Sequence, residues 1–223
     1  MHSYIIIHNT YETFEVALFI NDVLQQILIN DKRLVSKMLI SYIDTLVKKH
    51  TISFSELSFI GINQGPGLFS TLRSIISTVN GLHFATNIPL IGIDALEATA
   101  LEFYDETYPY TIILLDAFNH EIYYMIIKDK TIIQKGYNKI DIFLKNIEQK
   151  YALHSLRFIG KGTQLYKDNI IDIYKNAIIQ DTIPQLCSLQ TIATLALHTF
   201  IKQREGHGYL FPLYLKKHPV ELL

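Results

Sequence analysis

The sequence predicts an α/β fold in which mixed β-sheets carry crossover helices, and three observations point to it. Short apolar segments typical of strands come first, over residues 4–30. The apolar period then lengthens to that of a helix, and strands and helices alternate from there to residue 104. The chain has 223 residues, 49% hydrophobic and 18% charged, which is enough to bury one sizeable core or two small ones. The order strand, strand, strand, helix, strand, helix, strand is that of a ribonuclease-H-like lobe.

The first half of the chain supplies that order. The predicted strands are Tyr4–Asn9, Phe14–Ile20, Val23–Ile29, Leu57–Asn63 and Pro89–Ile93, and the predicted helices are Lys32–Lys48, Leu68–Ala85 and Ala95–Tyr104. The pair Asn21 and Asp22 suits a tight hairpin between the second and third strands. Two adjacent rows of apolar residues recur every four positions along the first helix, which gives it one very broad apolar stripe.

The second half is predicted to be a smaller copy of the first. A polar, turn-rich stretch over residues 104–109 suggests a boundary, so we expect one lobe at residues 1–105 and a second at 106–223. The predicted elements are strands Tyr110–Asp116, Glu121–Lys128, Thr131–Lys135 and Leu156–Ile159, and helices Ile140–Tyr151 and Leu189–Gln203. The tail over residues 209–215 is apolar and is expected to pack back onto the body.

Composition excludes several classes of protein. A single cysteine, Cys187, rules out a disulfide framework and a cysteine-rich zinc site. A net charge of -1 argues against a protein that binds nucleic acid without the help of another subunit. The nine histidines contain no His-Glu-x-x-His motif, so we expect no metal site. No signal peptide and no membrane-spanning run is evident, and we expect a cytoplasmic protein.

The segment Gly65-Pro66-Gly67 follows a strand and opens a helix, where free backbone N–H groups attract anions. We interpret this segment either as a phosphate-binding loop or as a tight turn between the strand and the helix. The first reading suggests an actin-like nucleotide-binding kinase or ATPase, which would also use Asp116. Such an enzyme needs carboxylates at both strand ends to hold Mg²⁺, and here the first strand ends in His8 and Asn9.

Charge is scarce around the second predicted helix. Between Glu56 and Asp94 there is a single charged residue, Arg73, and the helix carries small hydroxyl residues where a solvated face carries Lys and Glu. Either the chain's own elements or a partner protein covers such a face. The partner hypothesis assigns docking to Leu34, Met38, Tyr42, Leu72, Arg73, Ile75, Ile76 and Val79, and gives Gly65, Pro66 and Gly67 the role of setting the entry angle of the helix.

Several segments resemble one known family. Gly61–Arg73 resembles the Gly-Pro-Gly-Ser-Phe-Thr-Gly-Leu-Arg signature of the TsaB (YeaZ) family, and Leu115–Tyr123 resembles its Asp-Ala-Arg-x-x-Glu-Val-Tyr segment. Gly160–Gly162 lies where that family has Gly-x-Gly, and Pro212–Lys216 is similar to its Pro-x-Tyr-Leu-Arg ending. The match runs nearly from end to end in a consistent order.

The resemblance implies an actin-like (ASKHA) fold of two ribonuclease-H-type lobes, the second one reduced. It implies a non-catalytic accessory subunit in the synthesis of threonylcarbamoyladenosine on tRNA, with no cofactor of its own. The implied partners are the catalytic subunit TsaD, in a heterodimer, and the ATPase TsaE, with a homodimer when TsaD is absent and tRNA bound only through the complex. The family's contact surface corresponds here to the helices at about Lys32–Lys48 and Leu68–Ala85.

This sequence departs from the family pattern at the ends of two strands. His8-Asn9-Thr10 stands where the family usually has Asp-Thr-Ser, and Phe118 replaces an arginine. Ser70 and Thr71 stand where the family has Thr and Gly. The first two changes lead away from nucleotide chemistry, as expected for a scaffold. Nothing in the sequence supports a peptidase, because neither metal ligands nor an activated nucleophile is found.

Overall fold

The computed structural model describes residues 1–203 and 208–216, which divide into two units. Of the described residues, one unit comprises residues 1–98, 188–203 and 208–213, and the other comprises Thr99–Cys187 and residues 214–216. The helices are α1 (Val35–Lys49), α2 (Phe69–Thr86), α3 (Ala95–Glu102), α4 (Ile140–Tyr151), α5 (Lys161–Leu165), α6 (Lys167–Ile173) and α7 (Leu189–Gln203). The strands are β1 (Tyr4–Asn9), β2 (Thr13–Ile20), β3 (Val23–Asp31), β4 (Phe59–Gly65), β5 (Leu90–Asp94), β6 (Tyr110–Asp116), β7 (Glu121–Lys128), β8 (Thr131–Lys139), β9 (Leu156–Ile159) and β10 (Ala177–Ile178).

The first unit contains a five-stranded sheet in the order β3-β2-β1-β4-β5. The strands β1, β2 and β3 pair antiparallel, whereas β1, β4 and β5 pair parallel. The hairpin between β2 and β3 turns at Asn21 and Asp22, which have φ angles of 53° and 66°. Two successive left-handed residues match the right-handed twist of the strands, and asparagine and aspartate tolerate that conformation best after glycine. The predicted tight turn is therefore confirmed.

Helices cover both faces of this sheet. On one face, α1 and α2 contribute Leu39, Ile43 and Val79 to a core with the strands. On the other face, α7 contacts β1, β4 and β5, and a Cβ atom at Gly61 would lie only 2.8 Å from Cβ of Ala196. We expected the chain from residue 106 on, including this last helix, to form the second lobe. The structure instead places α7 in the first unit, because the second face of that sheet is apolar and needs a covering helix.

The second unit repeats the topology of the first. Its sheet has the order β8-β7-β6-β9-β10, with β6, β7 and β8 antiparallel and β6, β9 and β10 parallel. The last strand is reduced to two residues. Phe143 and Leu144 of α4 and Ile170 of α6 form its core with the strands. The two short helices α5 and α6 were absent from the elements that the sequence predicted.

Residues 208–213 of the tail pack onto the first unit. Leu210 is buried in the core of that unit, and the side chain of Asn80 bonds its backbone twice. Asn80 Nδ2 donates to the Leu210 carbonyl (2.9 Å), and the Leu210 amide donates to Asn80 Oδ1 (3.0 Å). The Leu213 amide donates to the Gln64 carbonyl (3.1 Å). Within the described ranges, no helix is both long and apolar enough to cross a membrane.

Candidate functional site

The broad apolar stripe of α1 divides into two rows with different environments. Val35, Leu39 and Ile43 are buried against the sheet. Of the residues expected to dock a partner, Leu34 is 37% exposed at the start of the helix, while Met38 and Tyr42 are half-buried. A further apolar residue, Ile40, is 51% exposed, although the sequence analysis did not single it out.

Four of the residues assigned to docking on α2 are inside the protein. Leu72, Ile75, Ile76 and Val79 have at most 3% of their surface exposed, because the apolar stripe of α2 faces the sheet. From these positions their side chains hold α2 on the sheet and cannot touch a partner, so the docking assignment is corrected at these four. Arg73 is exposed. The prediction for Leu34, Met38, Tyr42 and Arg73 stays a prediction.

The exposed face of α2 combines aromatic and small side chains. Phe69 and Phe84, near its two ends, are 50% and 77% exposed. Ser70, Ser77 and Gly81 lie exposed between them. Arg73 is the only Lys, Arg, Asp or Glu in the helix, and its guanidinium lies 5.0 Å from the centre of the Phe69 ring. We call this face, together with exposed Leu34 and Ile40 of the adjoining α1, the outer surface.

A serine-rich face with two exposed phenylalanines is unusual for a helix that contacts water. Small residues permit the close approach of another helix, and contiguous apolar patches mark interaction sites. Sequence periodicity indicated Phe69 as part of the apolar row, but it missed Phe84 as a surface residue. The signal that could have found both was the scarcity of charge along α2.

Polar side chains meet where β1 and β4 end in the first unit. Asn63 is buried, and its Nδ2 donates to the Asn9 carbonyl (3.1 Å) and lies 3.2 Å from His8 Nδ1. Its Oδ1 accepts from the Gly65 amide (2.9 Å). Asn63 therefore ties the two strand ends to the turn that precedes α2. Asn9 Oδ1 is buried without a hydrogen-bond partner in the described chain.

The turn before α2 is more tightly constrained at its first glycine than at its second. Gly65 has a φ of 102°, and a Cβ atom there would lie 2.9 Å from Leu72 Cδ1. The Gly65–Pro66 peptide bond is cis, and Pro66 is buried. At Gly67 a Cβ atom would make only ordinary contacts, the nearest at 3.6 Å to Asn9 Nδ2. Of the two glycines, Gly65 is the one that the turn requires.

The second unit presents one carboxylate at the corresponding strand end. Asp116 ends β6, and its Oδ1 accepts from the Phe118 amide (2.9 Å), so it organises the turn that leads to β7. The first strand ends instead in His8 and Asn9. In the described chain no three or more His, Cys, Asp or Glu side chains group so that they could hold a metal ion. No observation here favours a kinase or ATPase over the hypothesis that this chain docks a partner protein.

Two distant parts of the second unit are joined by an ion pair. Lys216 Nζ lies 2.5 Å from Glu121 Oε2, and the Lys216 ammonium lies 5.0 Å from the centre of the Tyr137 ring. Burial raises the pKa of the Glu121 carboxyl, but hydrogen bonds from Lys216 and Tyr137 outweigh burial and hold the pKa below its ordinary value of 4.5. The hydrogen bonds to Glu121 and Tyr137 raise the pKa of Lys216 above its ordinary range.

Comparison with known proteins decides the family. A family model described as TsaD: tRNA N6-adenosine threonylcarbamoyltransferase matches residues 22–218. The chain belongs to this family. Within it, a curated relative is the tRNA threonylcarbamoyladenosine biosynthesis protein TsaB of Buchnera aphidicola subsp. Baizongia pistaciae. It is 22% identical over 190 residues, which are 80% of this chain and 82% of the relative.

Solved structures share the fold of this chain. YeaZ from Pseudomonas aeruginosa superposes with a TM-score of 0.69 at 18% identity, over 96% of this chain and all of the other. A second P. aeruginosa structure, described as an uncharacterized protein with similarity to peptidase YEAZ, gives a TM-score of 0.72 at 18% identity, over 97% of this chain and all of the other. The resemblance to TsaB (YeaZ) is thus confirmed, as is the actin-like fold with two ribonuclease-H-like sheets.

The TsaB-like segments occupy defined places in this fold. The segment Gly61–Arg73 covers most of β4, the turn and the start of α2. The segments Leu115–Tyr123 and Pro212–Lys216 meet through the ion pair between Glu121 and Lys216. Segments far apart in the chain that resemble TsaB therefore make one contact in the second unit.

Proposed function

We propose that this chain is a non-catalytic accessory subunit in the synthesis of threonylcarbamoyladenosine on tRNA, and that it docks and supports a catalytic subunit of the TsaD type. Membership in the TsaD family and the name of the TsaB relative support the pathway. The observation that carries docking is the outer surface, where α2 exposes two phenylalanines and a single charge along 18 residues.

The energetics of such a surface favour a protein partner. Complete burial of a phenylalanine side chain contributes about 1.5–3 kcal/mol, so covering Phe69 and Phe84 supplies a substantial apolar contribution to binding. Ser77 and Gly81 between them leave room for a facing helix. Because few charges lie on this face, little desolvation opposes docking.

The rest of the proposed assembly follows from the same role. TsaE is the further partner, tRNA is bound only through the complex, and two copies of this chain pair through the outer surface when the catalytic subunit is absent. A net charge of -1 supports the assignment of the tRNA contacts to other subunits. The proposed location is the cytoplasm, and no cofactor is assigned to this chain.

A charge placed at the centre of the outer surface tests the proposal. Ser77→Glu inserts a carboxylate into the contact, and we expect it to weaken co-purification with the TsaD-type subunit of the same genome by about tenfold or more. The matched control is Thr194→Glu, on an exposed position of α7 in the same unit. If both variants co-purified like the unaltered chain while remaining folded by circular dichroism, the docking assignment would be wrong.

A further inference from the structure

A small cavity in the first unit lies where the first turns of α1 and α2 come together. Its volume is about 220 Å³. The side chains that line it with polar groups are the bases Lys32 and Arg33 and the hydroxyl residues Ser36, Ser70, Thr71 and Ser74. No carboxylate from the described ranges lines the cavity. Its chemistry is therefore that of hydrogen-bond donors and positive charge.

One of these hydroxyl groups is left without a partner. Thr71 is 6% exposed, and in the described part of the chain its hydroxyl makes no hydrogen bond. The neighbouring Ser74 hydroxyl, in contrast, donates to the Ser70 carbonyl (3.0 Å). The Thr71 oxygen is not among the buried polar atoms that lack a partner, which in the described chain are Asn9 Oδ1 and Arg157 Nε. The hydroxyl is therefore accessible from the cavity and free to donate to a ligand there.

The electrostatics of the cavity are positive. Arg33 forms two hydrogen bonds with Asp31, at 2.9 and 2.7 Å, so those two charges largely cancel. The Lys32 ammonium contacts the neutral Tyr11 carbonyl, so Lys32 and Arg33 together outnumber the single carboxylate of Asp31 beside them. No side chain caps the N-terminus of α2 and no acidic residue lies in its first turn. The positive end of the helix dipole therefore adds to the charge of Lys32.

We propose that this cavity binds a tetrahedral oxyanion, namely phosphate, free or as the phosphate group of a small monoester. The Lys32 ammonium and the Thr71 hydroxyl donate to its oxygens, and the uncapped end of α2 stabilises its charge. The volume accommodates one phosphate group but is smaller than the roughly 300–1,000 Å³ of pockets that enclose drug-sized ligands. The cavity shares Ser70 with the outer surface, but phosphate binding is measured on the chain without a partner, so its failure and the failure of docking are distinguishable.

Calorimetric titration of the full chain with inorganic phosphate, at constant ionic strength, tests the site. We expect saturable binding to one site per chain. Thr71→Val keeps the shape of the side chain but removes its hydroxyl, and Lys32→Met removes the charge; each should weaken phosphate binding by about tenfold, as expected for the loss of a hydrogen bond to a charged group. The control Lys49→Met removes an exposed charge at the far end of α1 and should bind phosphate like the unaltered chain.

A parallel titration with adenosine 5′-monophosphate distinguishes the two sources of the phosphate group. Tighter binding of inorganic phosphate identifies the free ion as the ligand, and tighter binding of the monoester identifies an organic phosphate; each supports the site if Thr71→Val weakens it. The proposal is overturned if the unaltered chain shows no saturable binding at phosphate concentrations up to about 10 mM. It is also overturned if Thr71→Val binds like the unaltered chain, or if Lys49→Met weakens binding as much as Lys32→Met does.

Discussion

At the residue scale, the turn before α2 depends on a single backbone conformation. Gly65 has φ = 102°, where side chains other than glycine are strained, and the space beside it is occupied by Leu72. Its amide is held by Asn63, so the turn cannot relax without breaking that hydrogen bond. The conformation of this turn thus depends on Gly65 and Asn63 together.

Gly65→Ala is therefore expected to lower the free energy of unfolding by about 1–3 kcal/mol, the cost of a residue held in a disfavoured backbone region. Gly67→Ala is the matched control, since a Cβ atom there makes only ordinary contacts. Urea titration followed by circular dichroism measures both. Equal effects at the two glycines would contradict this account of the turn.

The buried hydroxyl of Tyr174 gives a second prediction at this scale. It lies 2.6 Å from the carbonyl oxygens of both Tyr151 and His154, so one phenol joins the end of α4 to the chain before β9. Tyr174→Phe removes the one phenol proton that these two carbonyls share, and we expect a loss of about 1–3 kcal/mol in the free energy of unfolding. Tyr209→Phe, at a half-exposed tyrosine, should change the free energy of unfolding little. Urea titrations measure both variants, and a larger loss for Tyr209→Phe than for Tyr174→Phe would contradict this prediction.

At the scale of elements, the ion pair between Glu121 of β7 and Lys216 of the tail makes stability depend on pH. The pKa of Glu121 is lowered in the folded protein, so its stabilising contribution is complete above the ordinary value of 4.5 and is lost as the pH falls through the lowered value. The chain should therefore lose this contribution on acidification, and no change from this pair is expected near neutral pH.

Lys216→Met removes the pair, and the difference in stability between variant and unaltered chain should shrink as the pH falls from about 7 to about 3. The difference at neutral pH is expected to be less than about 1 kcal/mol, because the lysine is half-exposed. The control is Lys48→Met, which removes a fully surface pair with Asp44 on α1. Thermal unfolding at each pH measures the effect; a difference that grew on acidification would contradict the assignment.

Most elements of this fold are predictable from local sequence pattern. Six of them, including β1, β6 and α7, begin and end at the predicted residues. The pattern fails over residues 161–178, where α5, α6 and β10 are too short for a hydrophobic period to be recognised. It also fails for the placement of α7, because an apolar stripe shows that a helix is covered but not which sheet covers it.

At the scale of the whole molecule, the same limit applies to the outer surface. The apolar period of α2 correctly marks Leu72, Ile76 and Val79 as covered, and the structure shows that the first unit's own sheet covers them. The side of the helix that we propose to face a partner is instead its charge-poor side. Periodicity cannot indicate it, because serine, glycine and lone aromatic residues form no regular stripe. The low charge of α2 indicates that the helix has an unusual exposed surface, and the structure is needed to identify the residues that form it.

The two repeated sheets also show why fold and activity are separate matters here. Both units have the same strand order, and yet their strand ends carry different polar groups, Asn9 and His8 in one and Asp116 in the other. The topology therefore supplies a frame, and the chemistry depends on side chains that vary within it. In this chain the fold exposes the outer surface, and the proposed accessory role depends on that surface.

Hydroxyl-radical footprinting of the chain, alone and mixed with the TsaD-type subunit, tests that role most directly, because it measures the exposure of individual side chains. We expect the oxidation of Phe69 and Phe84 to fall several-fold on mixing, as for side chains at the centre of an interface, while that of Leu153, 96% exposed in the second unit, stays unchanged. Failure of the two proteins to associate, or a complex in which both phenylalanines are oxidised as in the free chain, would contradict the account.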